Sequence, residues 1–214
     1  MRSNRPRERA ENGRQGVARR KHIQSAFLNI PYDDQFEELY LAYIVGLTQL
    51  GLKINATLAV PNQGRLDRIV KLIEESDVSI HDLSRIELSS GIPRFNMPLE
   101  LGLVLYRSHT TKGRHRVFVF EKKAYRALQS TSDINGLDPQ IHKGRPQGVM
   151  VGLRNIFHQP EPTTTVPEML ASYRAVKRKL PELRRNAGSQ SLFGASVFHD
   201  LTVAALVERE RIIQ

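Results

Sequence analysis

The stretch "SAFLNIPYDDQFEELYLAYIVGLTQLGLKINATLAV", residues 25–60, changes hydrophobic period twice, and the order of those changes decides the fold. Ser25 to Ile30 is a short apolar run that reads as a buried strand. Pro31 stops it, because proline has no N–H to give to a ladder. Phe36, Leu39, Tyr40, Tyr43 and Leu47 then recur at helical spacing, with Asp33 or Asp34 as N-cap and Gly51 as the stop. In "KINATLAV" the period returns to two, with Ile54, Ala56, Leu58 and Val60 alternating as in a strand. Strand, helix and strand in this order make one βαβ unit.

The pattern continues downstream. "PNQG" turns the chain into a helix with Leu66, Ile69, Val70 and Ile73 on one face, and "DVSIHDLS" is another short strand. A loop follows, then a helix containing Glu100, a turn at Gly113 and the strand "RVFVFEKK". Such alternation builds right-handed crossovers around a parallel sheet flanked by helices, an α/β fold. From about Tyr125 the pattern weakens: "STSDINGLDPQIHKG" reads as a loop, and a helix is predicted within residues 145–158. "HQPEPTTTVP" is a Pro/Thr linker, and the two segments after it are helical, with Pro181 breaking the first. The expected organisation is a basic flexible tail over 1–22, an α/β domain over 23–158 and a helical extension over 159–214. In that extension Leu170, Tyr173, Val176 and Leu180 form one stripe, suited to packing on the core, to a second copy or to a regulatory protein partner.

Of the net charge of +10, residues 1–22 supply +6. The tail reads either as an arm for phosphates and nucleic acid or as a solvated terminus. No aromatic residue interleaves with its arginines, so nucleic acid is not expected as the primary partner. The absence of cysteine excludes disulfides and thiolate metal sites, and the seven histidines have no metal-ligand spacing, so no metal or cofactor is expected. No apolar run approaches the ~20 residues that span a bilayer, and the N-terminus lacks a signal-peptide core. A cytoplasmic protein without membrane contact is the expectation.

"FNMPLELGLVL" raises the chemical question, because it puts Glu100 in a nearly apolar helix. With Asn96 or Met97 as cap, Glu100 falls in the first turn, where the macrodipole favours a carboxylate. Met97, Leu103 and Val104 share its face, so it looks into an apolar wall, and a buried carboxylate marks functional sites more often than stable cores. Gly102 leaves room for a close approach to the helix. In parallel α/β sheets ligands bind beyond the carboxyl ends of the strands. Asn29 and Tyr32 follow the first strand, His81 and Asp82 end the third, and Glu100 opens the next helix, so all five can meet on one rim. Two carboxylates there suit cleavage of a glycosidic bond, Glu100 attacking or stabilising the anomeric centre and Asp82 serving the leaving group.

Together, "SAFLNIPYDDQFEELY", "EESDVSIHDLS" and "FNMPLELGLVL" resemble nucleoside 2-deoxyribosyltransferase-like proteins and related TIR-like proteins of bacterial antiviral defence, over roughly residues 25–122. The resemblance implies a flavodoxin-like or Rossmann-like sheet and N-glycosidic activity. It gives Glu100 the role of nucleophile or oxocarbenium stabiliser, makes Asp82 the strand-end aspartate, and makes Asn96 a ribose contact. The chain departs from it at Arg94, where the deoxyribosyltransferases are acidic, and at Ile69, where they carry an aspartate that Asp67 stands near. Arg65 and Arg94 suit a phosphorylated ligand, since guanidinium pairs bidentately with phosphate. The expected function is hydrolysis of the N-glycosidic bond of a nucleotide, with NAD the first candidate. The alternative is a nucleotide-sensing or protein-interaction module that uses the same rim without turnover.

Overall fold

In the computed structural model, which describes residues 23–59, 64–85, 96–124, 137–157 and 164–213, five strands form one parallel sheet. They are β1 (Ser25–Asn29), β2 (Lys53–Asn55), β3 (Val78–Asp82), β4 (Arg116–Glu121) and β5 (Gln140–Ile141), in the spatial order β2-β1-β3-β4-β5. This is the strand order of flavodoxin-like folds, and its winding reverses between β1 and β3. The helices are α1 (Glu37–Gln49), α2 (Arg65–Glu74), α3 (Asn96–Thr110), α4 (Pro146–Ile156), α5 (Val166–Asn186) and α6 (Ala195–Ile213). The alternating pattern therefore gives the α/β sheet expected of it. The tail, Arg94 and Val60 lie outside the described residues.

Successive strand residues point to opposite faces, so each face of the sheet has its own core. On one side Phe27 packs with Ile69, Leu72 and Ile73 of α2 and Val104 of α3. On the other, Ala26, Leu28, Val78 and Ile80 join α1, α4, α5 and α6 in one large apolar cluster. Every residue from Leu39 to Gln49 of α1 is buried, because the sheet covers one side of this helix and α4, α5 and α6 cover the others. The one stripe expected from its spacing is thus widened to the whole circumference, as suits a central helix. At its end Gly51, at φ +76°, lets the Gly51 and Leu52 N–H groups donate to the carbonyls of Thr48 and Leu47, which closes the helix.

Several local expectations change. β2 ends at Asn55 and Thr57–Ala59 form a 3-10 turn; this edge strand pairs only with β1, through Asn55 opposite Phe27. Helix α2 turns Ile69, Leu72 and Ile73 inward and leaves Leu66 and Val70 exposed. Helix α5 runs through Pro181 rather than breaking there. Pro181 and Lys177, whose carbonyl loses its donor, are both exposed, so water can replace the missing bond. Contacts on both sides hold the helix in place: Met169, Tyr173 and Val176 are buried before the proline, and Arg184 pairs with Glu37 after it at 2.7 Å. Among the described residues no helix is long and apolar enough to cross a membrane.

Candidate functional site

In open α/β sheets the reversal of winding, here between β1 and β3, is the place where a ligand crevice lies beyond the carboxyl ends of the strands, and Asn29 stands there opposite His81. Helix α3 leans over the crevice and delivers Glu100. The helix starts at Asn96 and has no acid in its first turn, so Glu100 stands in the second turn rather than the first. Side chains hold it. The carboxylate is buried, 3% exposed, and Arg65, the first residue of α2, brings Nη2 to 3.1 Å from its Oε1. The Asn29 amide also donates to it.

Asn29 is itself held from the other side. Its Nδ2 lies 3.0 Å from His81 Nδ1, so of its two amide hydrogens one serves the ring and one the carboxylate. His81 is fully buried with its ring edge-on to Phe27, and burial, reinforced by His115, lowers its pKa to about 3. A neutral ring is therefore the acceptor that fixes Asn29, and its Nε2 has no partner among the described residues. Burial also raises the pKa of Glu100, an effect that Arg65 and Asn29 only partly offset. Tyr32 completes the wall. Its hydroxyl lies 3.5 Å from Thr57 Oγ1, and burial pushes its pKa up to about 12, with the charges of Glu100 and Arg65 both within reach.

The structure thus brings together Asn29, Tyr32, Arg65, His81 and Glu100. Asp67 is exposed in the first turn of α2 and Asn96 is exposed at the start of α3. A side chain at Gly102 would meet only open space. Asp82 does not join the rim. It follows His81 directly, so the pleat sends it to the other face of the sheet, beneath α1 and α4. There it accepts hydrogen bonds from the Tyr43 hydroxyl at 2.7 Å and the Ser84 N–H at 2.9 Å, and His142 Nε2 lies 3.2 Å away. The Gly144 N–H donates to His142 Nδ1, which places the ring proton on Nε2 between Asp82 and the Ser84 hydroxyl. Acid and hydroxyl thus share one ring nitrogen, unlike the catalytic triad, where they occupy opposite ones. All four side chains are buried, and the cluster is a closed structural network. Helix α4 approaches it so closely that a side chain at Gly148 would sit 2.2 Å from the His142 carbonyl oxygen.

Two further contributors were not foreseen. Thr57 follows β2, and Phe193 comes from the connection between α5 and α6 to lie 5.9 Å from the Tyr32 ring and 5.2 Å from the Tyr40 ring, centroid to centroid. The one sequence signal for Phe193 is the apolar pair Leu192–Phe193 inside the otherwise small and polar "GSQSLFG". Among the described residues no three His, Asp or Glu side chains gather so as to hold a metal ion. The chain matches no protein-family model and no curated protein.

Proposed function

We propose that the crevice binds a nucleotide and hydrolyses its N-glycosidic bond, with Glu100 as nucleophile or oxocarbenium stabiliser. The observation that carries this reading is a buried carboxylate at the switch point of the sheet, oriented by Asn29 and faced, among the described residues, by a single cation. An oxocarbenium-like transition state places positive charge on the anomeric carbon, and a desolvated, preoriented carboxylate stabilises that charge more strongly than water does. Asn29 and His81 hold the carboxylate, Tyr32 walls the site, and Arg65 supplies a guanidinium for phosphate.

The position of Asp82 narrows the substrate. Among the described residues no second carboxylate faces Glu100 to protonate a leaving base. NAD needs none: when the bond from C1′ to the nicotinamide nitrogen breaks, the electron pair neutralises the cationic ring. Water then bonds to C1′ and loses one proton, giving nicotinamide, ADP-ribose and H⁺. NAD is therefore the favoured candidate ahead of purine or pyrimidine nucleotides, and an effector role in antiviral defence is the biological setting that the sequence resemblance suggests. The ion pair between Arg65 and Glu100 favours a second reading, a nucleotide sensor without turnover, since a neutralised carboxylate binds without reacting.

Incubating the full chain and Glu100→Gln with NAD and a panel of nucleotides, with products read by mass spectrometry, tests the proposal. Release of free base by the wild type, reduced about 100-fold or more in the variant, is expected. Equal release by both removes Glu100 from the chemistry, and tight nucleotide binding without any release leaves the sensor.

A further inference from the structure

Arg65 and Glu100 differ sharply in their surroundings. The Arg65 side chain is 59% exposed, while that of Glu100 is 5% exposed, and one contact of 3.1 Å joins them. A guanidinium on a long, solvent-reaching stem can leave, whereas a buried carboxylate cannot follow it. In the free protein the charge that an oxocarbenium ion needs is therefore already occupied by a cation that reaches in from solvent. Arg65 opens α2, at the lip, where an incoming ligand meets it before reaching Glu100.

We propose that Arg65 is a phosphate-operated latch: a phosphate on the ribose draws the guanidinium away from Glu100 and so frees the carboxylate for the sugar. The inference rests on the reading of the crevice as a nucleotide site and deepens it, because it makes a phosphorylated ribose the required ligand and excludes the free nucleoside. Phosphate competes well for the guanidinium, offering several acceptor oxygens in the planar geometry of its fork. Glu100 then exchanges one cation for another, guanidinium in the resting protein and the anomeric carbon during bond cleavage. Among the described residues its remaining neighbours are Asn29, backed by His81, and Tyr32, which burial keeps in its neutral form. None of these can replace the lost positive charge, so Glu100 retains its proton to higher pH once Arg65 departs. Arg65 is on this account a specificity-determining residue that acts on Glu100 through the ligand.

The test is a pH titration of the Glu100 carboxyl carbon by NMR in the full chain labelled with 13C-glutamate, its signal assigned by its loss in Glu100→Gln. Ribose and ribose 5-phosphate are the probes. Ribose 5-phosphate is expected to move the titration of Glu100 upward, and ribose is expected to leave it in place. In Arg65→Ala the titration should start high, and ribose 5-phosphate should bind roughly tenfold or more weakly. Arg65→Lys should bind the phosphate with intermediate strength. The latch is overturned if ribose 5-phosphate leaves the wild-type titration unmoved, or if it binds and acts equally on wild type and Arg65→Ala. Base release measured alongside keeps the two ideas apart. Hydrolysis with an unmoved Glu100 discards the latch and keeps the hydrolase; a moved Glu100 without hydrolysis does the reverse.

Discussion

His81 and Asp82 are consecutive residues of one strand, both fully buried, and they serve opposite purposes. On the Asp82 side three donors meet one acceptor: Tyr43, Ser84 and His142 close on a single carboxylate beneath α1 and α4. On the His81 side the arrangement is left open. Among the described residues His81 Nε2 has no partner and one cation answers Glu100, mostly in solvent, while burial favours the uncharged form of that carboxyl. A carboxylate surrounded by satisfied donors holds a fold together. A carboxylate left in tension with its surroundings is available for a ligand, and that availability costs stability.

The largest effect should come from breaking the closed side. Asp82→Ala leaves the Tyr43 hydroxyl, the Ser84 N–H and the His142 Nε2–H without their acceptor, so a loss of about 3–5 kcal/mol is expected in denaturant unfolding. A loss below about 1 kcal/mol would mean that the network is not structural. The next effect separates the faces by pH. The folded pKa of His81, about 3, lies below its ordinary value of 6.5, so acid protonates the unfolded chain first. Stability should therefore fall as pH drops from 6.5 towards 3, by up to about 1.4 kcal/mol per pH unit from this group, and His115 contributes in the same sense. His81→Gln should flatten that slope, and an unchanged slope would locate the acid sensitivity elsewhere.

The smallest effect has the opposite sign. Glu100 has a folded pKa above its unfolded value, so the native state binds its proton more tightly and loses stability as pH rises through that interval. Glu100→Gln should accordingly stabilise the fold at neutral pH by roughly 0.5–2 kcal/mol, with the gain vanishing below about pH 4. Thermal unfolding at the two pH values checks it. A variant less stable than wild type at neutral pH would make Glu100 structural, like Asp82.

How much of this was legible in the sequence depends on the range of the interaction. The sheet and most helices followed from local period, because a strand between helical segments records its own burial. Glu100 was conspicuous for the same reason, as a charge among Met97, Leu103 and Val104. The convergence of Asp82 with Glu100 did not follow, although the period of two already separates His81 from Asp82, and strand-end position alone cannot decide which face a residue serves. Other features lay beyond local reading altogether. Pro181 sits in a continuous helix because contacts with α1 and α6 flank it, and nothing near "HKG" announces that His142 meets Asp82. The full burial of α1 depends on helices contributed more than a hundred residues later.

Phe193 carries this last point furthest. Its ring rests on Tyr32 and Tyr40, so the wall of the crevice is made of side chains from opposite ends of the chain. The loop that bears it hangs between two helices whose apolar faces belong to the same cluster as the sheet. A protein shortened before α5 would lose more than a tail, since Tyr40 and the buried flank of α1 would open to water and Tyr32 would lose its backing. In engineering terms the half of this molecule that carries Glu100 is not a transplantable part: whoever wishes to move the crevice to another scaffold must carry its last two helices with it.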